Sequence, residues 1–237
     1  MRVDIWSDVI CPWCYVGKAR FEKALDSFAH RDEVEVVYHS FELDPSLPRG
    51  ERESNLAMLS QKFGKPPAEA LALDGQVGTL ARAEGLGFDS SRPVGNTFDV
   101  HRVLHLGLDR GGQRELLGAI NEAYFAQARD VFDGDVLTEV VVGAGLDAAE
   151  VGKVLDGDDY ADAVRQDESQ ARQIGISGVP FFVFDRTYGV SGAQESAVLA
   201  EALQQAWADA HPLTMVSPSR SGAAGADAAC EGDSCAV

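Results

Sequence analysis

Two cysteines separated by two residues, Cys11-Pro12-Trp13-Cys14, stand between an alternating stretch, Val3-Asp4-Ile5, and one in which Phe21, Leu25 and Phe28 recur at helical spacing. This places a dithiol where a strand hands over to a helix. Unpaired backbone N–H groups and the helix dipole favour negative charge at such a point, and so favour the first sulfur as a thiolate, its nucleophilic form. The two intervening residues keep the sulfurs about one turn apart, so that a dithiol and a disulfide both fit with little backbone movement. Pro12 suits an early helix position, where its missing N–H costs little and its φ is already helical. In this reading Cys11 attacks, Cys14 resolves from deeper in the first turn, and Trp13 projects beside them as an exposed aromatic that contacts a partner. The competing uses are half a zinc site and two inert core residues. A structural zinc needs four ligands, and no second C-x-x-C or suitably spaced Cys/His pair accompanies this one, so no metal is expected. Core cysteines have no reason to sit at a strand-to-helix junction.

The elements that must hold this dithiol are legible on both sides of it. A helix is expected from about Pro12 to His30, followed by a strand at Val34 to Phe41, rich in β-branched and aromatic residues and ending before Pro45 and Pro48. Strand, helix, strand in this order predicts a parallel pair with a crossover helix. From about residue 50 to 174 the pattern is helical throughout. Segments are expected at Ser54 to Phe63, Ala68 to Glu84, Thr97 to Leu108, Arg114 to Ala128, Asp135 to Ala144, Ala148 to Leu155 and Asp158 to Gln173, punctuated by glycines. Strand character returns at Val179 to Phe184, a short strand begins near Val190, and Gln194 to Trp207 carries Leu199, Leu203 and Trp207 on one side of a last helix. The chain therefore divides into residues 1–49 and 175–212 as two parts of one α/β domain, 50–174 as a helical insertion and 213–237 as a tail. The tail is Ser, Gly, Ala and Pro with almost no large apolar side chain, and it is expected to be flexible.

Composition narrows the function. The 237 residues carry 38 acidic and 20 basic side chains, a formal net charge of −18, which argues against nonspecific binding to nucleic acid or an anionic membrane. No long apolar run exists, and Met1-Arg2-Val3-Asp4 enters a strand pattern directly, which argues against a secretory signal or a membrane span. Four cysteines in two pairs, Cys11/Cys14 and Cys230/Cys235, fit catalytic or sensing thiols in a reducing compartment. A cytoplasmic location is the expectation.

Two segments carry a resemblance. Asp8-Val9-Ile10-Cys11-Pro12-Trp13-Cys14-Tyr15-Val16-Gly17 and Ser177-Gly178-Val179-Pro180-Phe181-Phe182-Val183, with the helical interruption between them, resemble the DsbA-like branch of the thioredoxin fold. The resemblance covers about residues 1 to 210. More narrowly, the chain resembles FrnE-type oxidoreductases, relatives of 2-hydroxychromene-2-carboxylate isomerases and kappa-class glutathione transferases. It implies an α/β thioredoxin fold with a large all-helical insertion. It also implies a cis peptide bond before Pro180, facing the dithiol, with Val179 turned outward to pair with an extended substrate. On the residues alone, Pro180 is an ordinary strand-start or edge proline. The isomerase and transferase relatives are similar around Asn96-Thr97 but use a serine where this chain has Cys11. That departure favours dithiol chemistry and leaves glutathione open as a reductant or ligand, with no cofactor tightly bound.

Further residues have two readings each. Asp8, three positions before Cys11, is either a proton relay to Cys14 or an exposed loop carboxylate, and its charge would oppose a nearby thiolate. His101 and His105, four apart, could touch one bound ion or ligand, but no third ligand is evident and surface or capping roles are favoured. Asn96 or Thr97 caps the helix that carries them. Cys230-Glu231-Gly232-Asp233-Ser234-Cys235 permits a small disulfide loop, and the resemblance gives this pair an accessory redox role. A tail of this kind could carry either sulfur to Cys11 at high effective concentration.

The expected function is a thiol–disulfide oxidoreductase that reduces, oxidises or isomerises protein or small-molecule disulfides through Cys11 and Cys14. The alternatives are a glutathione-dependent isomerase or transferase, and a noncatalytic redox sensor or chaperone-like binding protein. Substrate, direction of electron flow and oligomeric state are not written in these residues.

Overall fold

In the computed structural model, which describes residues 1–212, four strands form one mixed sheet. β1 (Arg2–Ser7) leads through the turn at residues 8–11 into α1 (Pro12–Asp26), and β2 (Glu35–Ser40) returns parallel to β1 with Ile5 opposite Tyr38. After the insertion, β5 (Phe181–Phe184) runs antiparallel along the other side of β1, with Ile5 opposite Phe182, and β6 (Tyr188–Ser191) closes the edge as a hairpin. The last helix, α9 (Ser196–Ala210), packs beside α1.

β1 is the central strand, buried on both faces. Val3 and Ile5 point into the main core with Phe21, Leu25, Phe182, Phe184, Leu199 and Leu203. Phe21 lies 5.7 Å from Phe182 and 6.3 Å from Phe184 between ring centres. Trp6 points the other way, into a smaller cluster with Ala171 and Ile176. Fully burying one such side chain stabilises by about 2–3 kcal/mol, so the period-two pattern of β1 fixes which face each residue takes.

Between β2 and β5 the chain is mostly helical: α2 (Asn55–Phe63), α3 (Pro67–Ala83), α4 (Phe98–Asp109), α5 (Gln113–Asn121), α6 (Gly134–Gly143), α7 (Ala148–Asp156) and α8 (Ala161–Gln173). This is a thioredoxin fold with a helical insertion, the architecture expected. The insertion also holds a short antiparallel ribbon that the helical reading did not contain, β3 (Arg52–Ser54) against β4 (Pro93–Gly95). Three-residue strands are too short for alternation to register.

The helix expected from Arg114 to Ala128 changes its winding. It is α-helical to Asn121 and continues as a π turn over Glu122–Ala126, which carries Tyr124 and Phe125 into the core. Phe125 stacks on Tyr15 at 4.6 Å and on Phe88 at 5.9 Å. Arg92, 1% exposed, lies over Phe88 and Phe125 and pairs with buried Asp74 at 2.7 Å. α1 ends at Asp26, short of the expected His30, because Ser27 turns the chain and Phe28 joins the core from outside the helix.

Candidate active site

Cys11 is the N-cap of α1, with an extended backbone, and Pro12 is the first helical residue. The Cys11 carbonyl accepts the N–H groups of Cys14 (3.0 Å) and Tyr15 (3.2 Å), while its own N–H donates to the Asp8 carbonyl at 3.1 Å. The first turn is thus bonded through the backbone of the nucleophile position, and the Cys11 side chain is left at the positive end of the helix. Trp13 is 43% exposed beside it, as its spacing predicts.

Both thiols are free, each residue only 4% exposed, but they stand in different surroundings. Burial pushes the Cys14 thiol well above its ordinary range, and the neighbouring Cys11 sulfur pushes it further. The Ser7 hydroxyl and the backbone of Asp8 lie against the Cys14 sulfur and partly offset this. Cys14 therefore holds its proton while Cys11 occupies the helix end.

The Val179-Pro180 turn faces this helix. The peptide bond between the two is cis, and the Cys11 Sγ lies 3.6 Å from the Val179 carbonyl oxygen. The strand expected from Val179 starts two residues later, at Phe181, because Val179 and Pro180 are spent on this turn. Pro180 is buried and Val179 half-buried.

Gly17, quoted in the motif but given no role, fits the close approach of α1 to this turn. A Cβ there would come within 2.9 Å of the Pro180 Cγ and 3.5 Å of Ala193. One turn along, Arg20 donates to the Ala193 carbonyl and pairs with Glu84 and Glu195, tying α1 to the end of α3 and to the loop before α9.

Asp8 is not an exposed loop carboxylate. It is 1% exposed; its Oδ2 accepts the Leu43 N–H at 2.7 Å and its Oδ1 lies 3.2 Å from His101 Nε2. His101 and His105 are likewise not surface residues, being 2% and 9% exposed on the inner face of α4. Nor do they converge on one ligand. His101 meets Asp8, whereas His105 Nε2 meets Ser40 and Asp167, each at 3.1 Å. The capping role falls to Asn96, whose side-chain oxygen accepts the Phe98 N–H at 3.0 Å, while Thr97 makes no such bond.

A second histidine centre sits on the far face of β1 and β2. His39 lies 2.7 Å from both Asp167 and Asp4 and stacks on Trp6 at 4.5 Å. Burial alone would lower His39, but the two carboxylates reverse this and raise it to about 9. Burial would raise Asp167, yet hydrogen bonds from His105, His39 and the Ser40 N–H hold it well below the carboxylate range. Sequence spacing offered no sign of this cluster, whose members lie on β1, β2, α4 and α8. Cys230 and Cys235 lie outside the described residues.

The family profile described as the DSBA-like thioredoxin domain matches residues 2–204. The crystal structure of a probable DsbA oxidoreductase from Streptomyces coelicolor is similar at 50% identity and a TM-score of 0.85, covering 96% of this chain and all of that one. The uncharacterized protein YwbO of Bacillus subtilis is 27% identical over 207 residues, 86% of this chain and 96% of its own length. The cytosolic disulfide reductase DsbM from Pseudomonas aeruginosa, solved with glutathione, is 17% identical with a TM-score of 0.57, covering 89% of this chain and 97% of that one; this likeness concerns the fold alone.

Proposed function

We propose, because the chain belongs to the DSBA-like thioredoxin domain family, that its thiol–disulfide oxidoreductase activity uses Cys11 as the attacking sulfur and Cys14 as the resolving one. The observation that carries the assignment is the asymmetry of the pair. The two residues are equally covered, but Cys11 caps α1 at its positive end beside exposed Trp13, whereas Cys14 sits within the first turn with its proton held by burial and by the neighbouring sulfur. A sulfur that keeps its proton is a poor first nucleophile.

In the reducing direction, Cys11 attacks one sulfur of a substrate disulfide. A Cys11–substrate bond forms, the substrate S–S bond breaks, and the displaced sulfur leaves as a thiolate. Cys14 then loses its proton and attacks the Cys11 sulfur. The Cys11–Cys14 disulfide forms, the second substrate sulfur leaves, and two electrons have passed from protein to substrate. The reverse sequence oxidises a substrate dithiol.

Trp13, Val179 and Pro180 form the substrate contact, with Val179 offering backbone to an extended partner. The substrates are protein or small-molecule disulfides and dithiols. Glutathione acts as a reductant or transient ligand; the similar fold of DsbM, solved with glutathione, supports this. Cys230 and Cys235 pass electrons to or from Cys11. The proposed location is the cytoplasm, supported by cysteines that come only in redox-type pairs. The motif residues support a place near the FrnE-type members.

Replacing Cys11 with Ser should abolish turnover of a disulfide substrate, and replacing Cys14 with Ser should accumulate a mixed disulfide at Cys11, read by mass spectrometry. Turnover undiminished by Cys11→Ser would refute the assignment. Turnover of a 2-hydroxychromene carboxylate with glutathione that survives loss of Cys14 would favour the isomerase reading instead.

A further inference from the structure

Resolution by Cys14 requires that a thiol held protonated by burial give up its proton inside the protein. Solvent reaches this sulfur poorly, the residue being 4% exposed. Several polar groups lie beneath it. Ser7 lies against the Cys14 sulfur and also lines a small cavity whose polar wall is Tyr38, His39, Ser40 and His101 and whose remaining wall is Val9, Leu104 and Leu117. That cavity has about 10 Å³ open to the centre of a water molecule, about the room one water needs when polar partners surround it. Among the described residues the Tyr38 hydroxyl has no hydrogen-bond partner. On the wall of the cavity, His101 Nε2 meets Asp8 Oδ1 at 3.2 Å, with both residues almost fully enclosed.

A carboxylate and an imidazole buried together are costly to the fold unless each is satisfied by the other. Here the imidazole comes from α4 of the insertion, 93 positions beyond Asp8. An apolar residue at 101 would leave the Asp8 carboxylate, among the described residues, with only the Leu43 N–H. We propose that His101 is a positioning residue of the exchange reaction: through Asp8 and the Ser7-lined cavity it takes up the proton that Cys14 releases as it resolves the mixed disulfide.

The step balances simply. The Cys14 S–H bond breaks, the proton passes by way of the Ser7 side to the Asp8–His101 pair, and the Cys14 sulfur bonds to the Cys11 sulfur. The Cys11–substrate bond breaks, and the substrate leaves as a thiolate with the electron pair. In the reverse direction the pair returns the proton to Cys14. The titratable and charged groups near His101 are Asp8, Tyr38 and His39, Glu42 on the loop after β2 and His105 one turn on in α4; beyond them on α8, Asp167 meets His105, and Arg165 and Glu168 meet Glu42. The inference rests on the relay reading of Asp8 and on Cys14 as the resolving sulfur.

The test uses the full chain with Cys230 and Cys235 changed to Ser, reduced and mixed with Ellman's reagent in a stopped-flow instrument. Attack by Cys11 releases one thionitrobenzoate, and attack by Cys14 on the resulting mixed disulfide releases the second. His101→Gln should leave the first release unchanged and slow the second by about a hundredfold near pH 6, the lower end of what a positioned proton acceptor contributes. The second rate should climb back toward the parent as pH is raised and hydroxide takes the proton. Asp8→Asn should show the same selective slowing, and the double variant should be no slower than Asp8→Asn alone. Ser7→Ala, which leaves the pair intact but cuts its route to Cys14, should slow the second release as well.

An unchanged second release in His101→Gln across the pH range overturns the proposal. So does an unchanged second release in Ser7→Ala, even if His101→Gln fails to fold. Slowing in Asp8→Asn without slowing in His101→Gln sinks the role of His101 and leaves that of Asp8. A second release that persists in Cys14→Ser would sink the underlying assignment of the resolving sulfur.

Discussion

Raising the pH from 6 to 10 should remove about 3 kcal/mol of folding stability through His39 alone. Its folded value of about 9, against 6.5 for the ordinary side chain, is a shift of roughly two and a half units, and each unit corresponds to about 1.4 kcal/mol. The value is raised, so the folded state binds the proton more tightly than the unfolded chain. The contribution is therefore fully present below the unfolded value of 6.5 and is lost as pH rises through about 9. The physical source is the pair of carboxylates, Asp4 and Asp167, each 2.7 Å from the ring. Both stay ionised over this window, because Asp4 and Asp167 are held below the ordinary carboxylate range despite burial. Urea unfolding followed by fluorescence at several pH values measures the slope for the parent and for His39→Asn. The variant should be less stable at pH 6 and should lack the extra loss near pH 9. A parallel loss in both proteins would refute the reasoning, as would a His39 ring signal that titrates below pH 7 by NMR.

Gly17→Ala places a methyl group 2.9 Å from the Pro180 Cγ, so α1 or the Val179-Pro180 turn must shift. A loss of about 1–3 kcal/mol in unfolding stability is expected, with a slower first thiol exchange because the Cys11 surroundings move; unchanged values for both would contradict it. Asp74→Asn removes the partner of buried Arg92 and should cost about 3–5 kcal/mol by chemical denaturation, since an uncompensated charge is left inside. Trp13→Ala removes an exposed side chain and should change stability by less than about 0.5 kcal/mol, while lowering kcat/KM for protein disulfides more than for small ones.

The dithiol, its helix and the strands on either side were legible because their signals are local. Cys11 and Cys14 define their own spacing, and Phe21 and Leu25 mark the buried side of α1. The resemblance carried by Gly178-Val179-Pro180 located the facing turn, which periodicity alone had run into a strand. What could not be read are the partners brought by long-range packing. Asp8 and His101 are 93 positions apart, and nothing in either neighbourhood states that one satisfies the other. The same holds for His39, whose two carboxylates come from β1 and α8. The π turn after Asn121 escaped for a different reason: one extra residue per turn does not disturb an apolar pattern enough to show.

Because β1 joins β5 with Val3 opposite Phe184, the central strand lacks its second neighbour until the whole insertion has been synthesised. At about 5–20 residues per second, the roughly 140 residues between β2 and β5 take on the order of ten seconds or more to leave the ribosome. Throughout that interval the nascent chain displays both sulfurs without the turn that later confronts them. The cover that the Val179 carbonyl gives the Cys11 sulfur is therefore among the last parts of the site to be made.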